Sequence, residues 1–448
     1  MISAIICLLA FISVFVAGRR SLSAGTGLAL TFGYMYGIIR ANSPQPASHF
    51  IFDAASAGLY LAIFTRPKTP LERRRIRKVA PWALALFAWP ATLALLPIQD
   101  PLIQLVGLRG QAFFLPFLIL GAMFDDIELR KLAFWIAVLD IVAFAFAGGE
   151  YFLGVPRFYP RNAATEIIYV SKDVANYTAF RIPGTFVNPA GYGGMMVLGM
   201  PLLVGAWAQR RGHTWARVFL AAALAMAVMG VFLCASRTQA AAMIVLAIVV
   251  TLSFRVRVTA YLGWSLMIAG IVWIVASSPR LQRFTTLQDT SFVESRIRGS
   301  VNSSFLEKAA DHPLGSGLGG GGTSIPYFLQ GRIENQELIE NEYARIVVEE
   351  GIPGLMLWAL FIFWVVTRAA PRRSDPWFLG RRLAYVASLV FLATGLTGLG
   401  LFTWIPGTAL LLFMIGWVAA PNKARVPMAD PFAPAVLRGG LVMTRMGT

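Results

Sequence analysis

Apolar runs about as long as a bilayer is thick recur along almost the whole chain, and no soluble stretch of domain size is obvious between them. They can be drawn at residues 1–18, 24–40, 50–64, 80–97, 111–124, 132–148, 189–208, 216–234, 238–254, 259–277, 346–367, 382–401 and 405–420. A helix needs roughly 20 apolar residues to span the hydrocarbon core, and several of these runs reach or approach that length. Composition agrees. Hydrophobic residues make up 57% of the 448 and charged residues only 14%, where a soluble protein carries roughly 25% charged residues; the mean hydropathy is +0.65. The expectation is an all-α integral membrane protein of about 12 to 13 transmembrane helices, with a large outer-face loop containing short helices.

The formal charge of +17 raises nucleic acid as a partner, but the basic residues sit in short clusters between apolar runs, as in cytoplasmic loops. Nucleic-acid binding is not expected. The clusters are Arg19 with Arg20, then residues 66–78, 209–213, 255–257 and 368–375. When the runs alternate across the membrane, all of them fall on one side, as the positive-inside rule requires. The first 20 residues lack the positive start of a signal peptide and carry their arginines after the apolar run, so they read as a first membrane helix. Cys7 and Cys234 both lie inside apolar runs, which speaks against a disulfide framework or a thiolate metal site. No metal and no cofactor are expected.

Two long polar stretches, 149–188 and 278–345, fall on the outer face. The chain then divides into N-terminal transmembrane helices (1–148), a core that includes both stretches (149–367), C-terminal transmembrane helices (368–420) and an inner-face tail (421–448). Polar stretches of such length are uncommon without a function. They and the adjoining helix ends hold "FRIPGTFVNPAGYGG" at 180–194, "CASRTQA" at 234–240, "ESRIRGS" at 294–300, "HPLGSGLGGGG" at 312–322 and "ENEYARIVVEEGIPG" at 340–354. Arg237 is the strongest single signal, because it separates two apolar runs with almost no loop around it. An arginine there snorkels to the interface or serves as an anion ligand, since a guanidinium matches phosphate oxygens bidentately. Arg181, Arg296 and Arg298 are weaker alone and are candidates to join it around a pyrophosphate. The run "GSGLGGGG" lacks the lysine of a phosphate-binding loop and reads as a tight turn allowing close backbone approach. His312 precedes Pro313 in that turn and reads first as structural. Glu340, Glu342, Glu349 and Glu350 surround Arg345 at the start of an apolar segment, where acids favour a helix N-terminus; that explains Glu340 less well than the others.

The order of "RIPGTFVNPAGYGG", "SRTQAA", "DHPLGSGLGGGG" and "ENEYARIVVEEGIPGL" resembles the O-antigen ligase and O-antigen polymerase family of bacterial envelope glycosyltransferases, over residues from about 180 to 365. The resemblance implies a metal-independent enzyme of the inner membrane, with its active site on the periplasmic side. Its donor would be an undecaprenyl-pyrophosphate-linked glycan, passed to another lipid-linked glycan by a polymerase or to lipid A core by a ligase. Membrane lipid is an implied partner, and a chain-length regulator is a further candidate. Arg237 matches the pyrophosphate arginine of the "SRT" motif, Arg181 matches another, and Arg296 or Arg298 stands for a third. Asn188, His312, Asn341 and Tyr343 are supporting residues. In many relatives the last motif opens with His-Asn, the histidine being the proposed base, whereas this chain has Glu340-Asn341. Glu340 is the candidate base here, and the loss of the histidine inclines the reading towards a polymerase. A rival of another class is a lipid-linked oligosaccharide transporter, which would place charges along the membrane depth and on both faces.

Overall fold

The computed structural model describes residues 2–170, 180–209, 214–253, 291, 294, 309–334, 336, 339, 341–368 and 375–420. Of the expected site residues, Glu340, Arg296 and Arg298 lie outside this set. The first helices are α1 (Ile2–Arg20), α2 (Leu22–Tyr34), α3 (Tyr36–Asn42), α4 (Ile51–Thr65), α5 (Pro70–Leu93), α6 (Pro101–Ala112), α7 (Pro116–Met123) and α8 (Asp126–Leu153). Two short ones follow, α9 (Val155–Phe158) and α10 (Glu166–Val170). The remainder are α11 (Pro189–Gln209), α12 (Thr214–Leu233), α13 (Arg237–Ser253), α14 (Glu342–Val366), α15 (Phe378–Thr394) and α16 (Gly407–Ala419). No β-strand occurs among the described residues.

Several helix starts can be traced to single residues. Thr69 and Glu72 form a reciprocal capping box ahead of α5, with Pro70 in the first helical position, which satisfies backbone N–H groups that have no partner inside the helix. Asp100 and Asp125 cap α6 and α8 in the same sense.

Seven helices among the described residues are long and apolar enough to cross a membrane, or eight if the bent pair α2–α3 is one span. The expected 12 to 13 counted shorter runs as well. The first part of α5 is charged, α15 carries Arg381 and Arg382, α13 and α16 are short, and the run 259–277 lies outside the described residues. The runs at 111–124 and 346–367 belong to longer spans, Pro101–Met123 and Glu342–Val366.

At the centre stands α11, 89% of whose most apolar window is buried, whereas α1 is 22% buried and faces outwards. Around α11 pack α8, α12 and α15. The described residues of the first two basic clusters adjoin one end of this bundle. Arg19 at the end of α1 donates to Thr65 O at the end of α4, Ser21 and Ser23 bind Glu128 at the start of α8, and Arg75 near the start of α5 donates to Phe124 O. At the same end, Arg381 near the start of α15 pairs with Asp375 and donates to Trp417 O at the end of α16.

Candidate functional site

At the opposite helix ends the bundle opens into a cavity of about 740 Å³. Its wall is assembled from distant parts of the chain: Arg40 after α2, Arg109 in α6, Asn188 ahead of α11, Thr238 in α13, Ser324 in the glycine-bearing loop and Trp404 between α15 and α16. Four residues on this wall, His49, Gln239, Ser324 and Trp404, each bury a polar side-chain atom that has no hydrogen-bond partner among the described residues. Buried polar atoms are nearly always paired. Arg40, Arg109, Asn188, Ser236 and Thr238 also line the cavity, so its wall offers donors and acceptors to a polar ligand.

Two of the loops forming the wall are held by the carboxylates of α14. Asn341 caps this helix by accepting from Ala344 N at 2.7 Å. One turn on, Arg345 is fully buried, donating from Nε and Nη2 to Glu342 at 3.1 and 2.6 Å, from Nη1 to Glu349 at 2.7 Å and from Nη2 to Gln111 at 3.2 Å. Glu342 then accepts from the backbone N–H groups of Gly400, Leu401 and Phe402, and Glu349 accepts from Gly321 N and from Gln111 Nε2. Gly400, Leu401 and Gly322, the last beside Gly321, line the cavity. The acidic cluster is therefore an ion-pair network that fastens two loops to one helix. The preference of acids for a helix N-terminus covers only part of it.

The glycine-bearing loop is a tight turn seated in a kink of α14. Gly351 breaks the helix at φ +70°, which strands backbone groups on either side. The loop takes them up: Ser316 donates from N and Oγ to Val348 O at 2.7 and 2.9 Å, and Ile352 N donates to Pro313 O at 3.0 Å. Gly315, Gly317, Gly319 and Gly322 all have positive φ, which only glycine adopts readily. A Cβ at Gly351 would be strained in φ and would collide with the Leu314 carbonyl carbon. Gly351→Ala is accordingly expected to cost about 1 to 3 kcal/mol or more and to lower the thermal unfolding temperature of the purified protein. An unchanged melting temperature would show that the kink is not required.

The structure brings Arg181 and Arg237 into one neighbourhood. The chain reverses between α12 and α13 through Ala235, a non-glycine residue at φ +50°, a conformation that surroundings must impose and that clusters at functional sites. Arg237 is the first residue of α13, and Arg181 donates from Nε to Cys234 O in that same turn at 3.2 Å. Both guanidinium side chains are half-buried. Their neighbours Val187, Asn188, Ser236 and Thr238, rather than the arginines themselves, line the cavity.

Asn188 caps α11 by accepting from Gly191 N at 2.7 Å. The loop before it is fixed by Tyr159, whose hydroxyl donates to Gly184 O and Phe186 O, and by Glu150, which accepts from Gly184 N. Burial and the nearby Glu150 carboxylate hold the Tyr159 phenol well above its ordinary range, so it stays a donor. Tyr343 spends its hydroxyl on Leu392 O, tying α14 to α15. His312 accepts from Gly315 N through its carbonyl, which is a turn role, and is not among the cavity-lining residues described.

Sequence reasoning missed the cations on the other part of the wall. Arg109 donates from Nε and Nη2 to Asp53 at 2.8 and 2.6 Å, and Arg40 donates to Ala164 O at 2.8 Å while lying 5.7 Å over the Tyr36 ring. The Tyr36 hydroxyl and Arg109 both donate to His49 O, which joins these groups into one patch. The signal was present: Arg109 interrupts an apolar segment, as Arg237 does. Its partner Asp53 lies in a different run, and sequence does not show which acid meets which arginine.

The O-antigen ligase family model matches residues 221–359, a stretch that begins in α12, includes the "SRT" turn and the glycine-bearing loop, and runs through the kink of α14. No curated protein matches the chain significantly. With the motif order and the helical bundle already in place, this match shows that residues 221–359 of a multi-pass, all-α membrane protein are similar to the O-antigen ligase family.

Proposed function

We propose that this protein transfers a glycan from an undecaprenyl-pyrophosphate-linked donor to an acceptor glycan on the periplasmic face of the bacterial inner membrane, as the polymerase of an exopolysaccharide or O-antigen. The observation that carries the reading is the hydrogen bond from Arg181 to the turn that presents Arg237, beside a polar cavity at the helix ends away from Arg19 and Arg75. Positive residues gather on cytoplasmic loops, so the cavity's end of the bundle faces the periplasm.

The reaction is a metal-independent, inverting displacement. Glu340 takes the proton of an acceptor hydroxyl, whose oxygen bonds to the anomeric carbon of the donor sugar. The bond from that carbon to the pyrophosphate oxygen breaks, and the electron pair leaves with the pyrophosphate. Arg237 and Arg181, joined by Arg296 or Arg298, stabilise the departing charge through hydrogen bonds that strengthen as it develops. Glu340 immediately precedes Asn341, the cap of α14, in the chain. A cell lacking the protein tests the polymerase assignment: single repeat units remaining on the carrier are the expected result, and a long unattached polymer would indicate a ligase.

One observation favours the transporter reading. Asp140, fully buried midway along α8, accepts from the Tyr34 hydroxyl at 2.8 Å, and its second oxygen has no partner among the described residues. Carboxyl groups at membrane depth mark transport paths in other proteins. Translocation of a lipid-linked oligosaccharide across vesicles, lost in Asp140→Asn, would support that reading; glycan lengthening without translocation would exclude it.

A further inference from the structure

Arg40, His49, Arg109 and Glu166 are the residues of the described cavity wall that carry or can take up a charge near neutral pH. Arg109 is matched by Asp53, and the exposed Glu166 is matched by Arg161 at 3.2 Å. Arg40 makes no ion pair among the described residues. It is half-buried at the end of α3, donates from Nη2 to Ala164 O at 2.8 Å and lies over the Tyr36 ring. A guanidinium carries five N–H donors, so several remain for a ligand. A charge held at a membrane-helix end is costly unless it pairs or serves a site.

Aromatic rings continue this part of the wall. The Tyr36 hydroxyl donates to His49 O, and the His49 ring packs against Tyr327 at 5.5 Å. Tyr327 lines the cavity, and His49 Nε2 is buried with no partner among the described residues. Ring faces with a few hydrogen-bonding groups between them suit a sugar ring, which is apolar on its C–H face and edged by hydroxyls. One unmatched positive charge beside them suits one carboxylate, which a guanidinium grips through two parallel N–H bonds. A pyrophosphate carries more negative charge than this single cation offsets. Glu166 opposes such a ligand only weakly, because its charge is exposed to water and paired with Arg161.

We propose that this patch binds the carboxylate of a hexuronic acid residue in the glycan substrate, with Arg40 as the residue that selects it. The protein therefore prefers glycans containing an acidic sugar. Arg40 determines specificity and is distinct from the arginines that stabilise the leaving group. The inference rests on the glycan-transfer reading given above and narrows its substrate class; its test separates the two.

The test measures binding of methyl glucuronide, methyl galacturonide and methyl mannuronide to purified protein in nanodiscs of phosphatidylcholine, beside the neutral methyl glycosides that carry a hydroxymethyl group in place of the carboxylate. At least one uronide is expected to bind about ten- to hundredfold more tightly than its neutral counterpart, the range for hydrogen bonds to a charged group. Arg40→Gln keeps a donor for Ala164 O and is expected to abolish that preference while leaving the neutral glycoside's affinity and thermal unfolding unchanged. Arg40→Lys is expected to retain part of the preference, and inorganic pyrophosphate is expected to bind wild type and Arg40→Gln equally. Pyrophosphate binding weakened in Arg40→Gln as much as uronide binding would place Arg40 in the leaving-group site and overturn the proposal. No uronide preference in the wild type, or one that survives in Arg40→Gln, would overturn it while leaving glycan transfer intact. Wild-type protein that binds none of these glycosides and releases no carrier from an undecaprenyl-pyrophosphate-linked repeat unit would overturn both.

Discussion

Arg345→Ala is expected to cost about 3 to 5 kcal/mol of stability, the range found when one member of a buried ion pair is removed. Arg345, Glu342 and Glu349 are fully buried, and Glu350 beside them is 1% exposed. Without the guanidinium, Glu342 and Glu349 keep their backbone N–H donors but lose their counter-charge in a medium where an unpaired charge is expensive. The damage reaches the cavity, because these carboxylates hold Gly321 and the 400–402 loop. Lysine is expected to rescue only part of the loss, since Arg345 uses three nitrogens in a fixed fork that an ammonium group does not reproduce. Thermal unfolding in detergent measures both variants. A melting temperature within the error of the wild type for Arg345→Ala would show that the network does not hold the loops together.

The second large effect falls on catalysis. Arg237→Ala is expected to lower the transfer rate by about 10² to 10³, the loss typical of removing one preorganised donor from developing negative charge. Glu340→Gln keeps the size of the side chain and removes its basicity, for an expected loss of about 10² to 10⁴. Both variants should fold, since Arg237 is half-buried at a helix start and Gln is nearly isosteric with Glu. Polysaccharide of normal length and amount from cells carrying either variant at wild-type protein levels would remove that residue from the mechanism.

Much of this fold is readable from the chain because the membrane imposes one rule on every span. The apolar runs are local signals, and local signals survive without coordinates. The glycine-bearing loop is readable in kind, as a close backbone approach, but its seat in the kink at Gly351 is not, because residues 315 and 351 are brought together only by folding. The acidic cluster shows the same limit. "ENEYARIVVEE" displays an arginine among glutamates at helical spacing, and the ion pairs Arg345–Glu342 and Arg345–Glu349 follow that spacing. What sequence does not show is that Gln111, Gly321 and Gly400 complete the network, since each comes from a different part of the chain. Arg40 and Arg109 stay hidden in the sequence for a related reason. Both lie within or at the end of apolar segments, not in the polar stretches between runs.

In the proposed reaction the arginines of the 181 and 237 motifs serve one polyprenyl-pyrophosphate substrate beside this cavity. The most direct measurement supplies purified protein with an undecaprenyl-pyrophosphate-linked repeat unit, without nucleotide or ion gradient, and follows both glycan length and free undecaprenyl pyrophosphate. The expected result is longer glycan with carrier released in step, and a loss of about 10² or more in Arg237→Ala. Equal rates in wild type and Arg237→Ala, or no carrier release by the wild type, would contradict it.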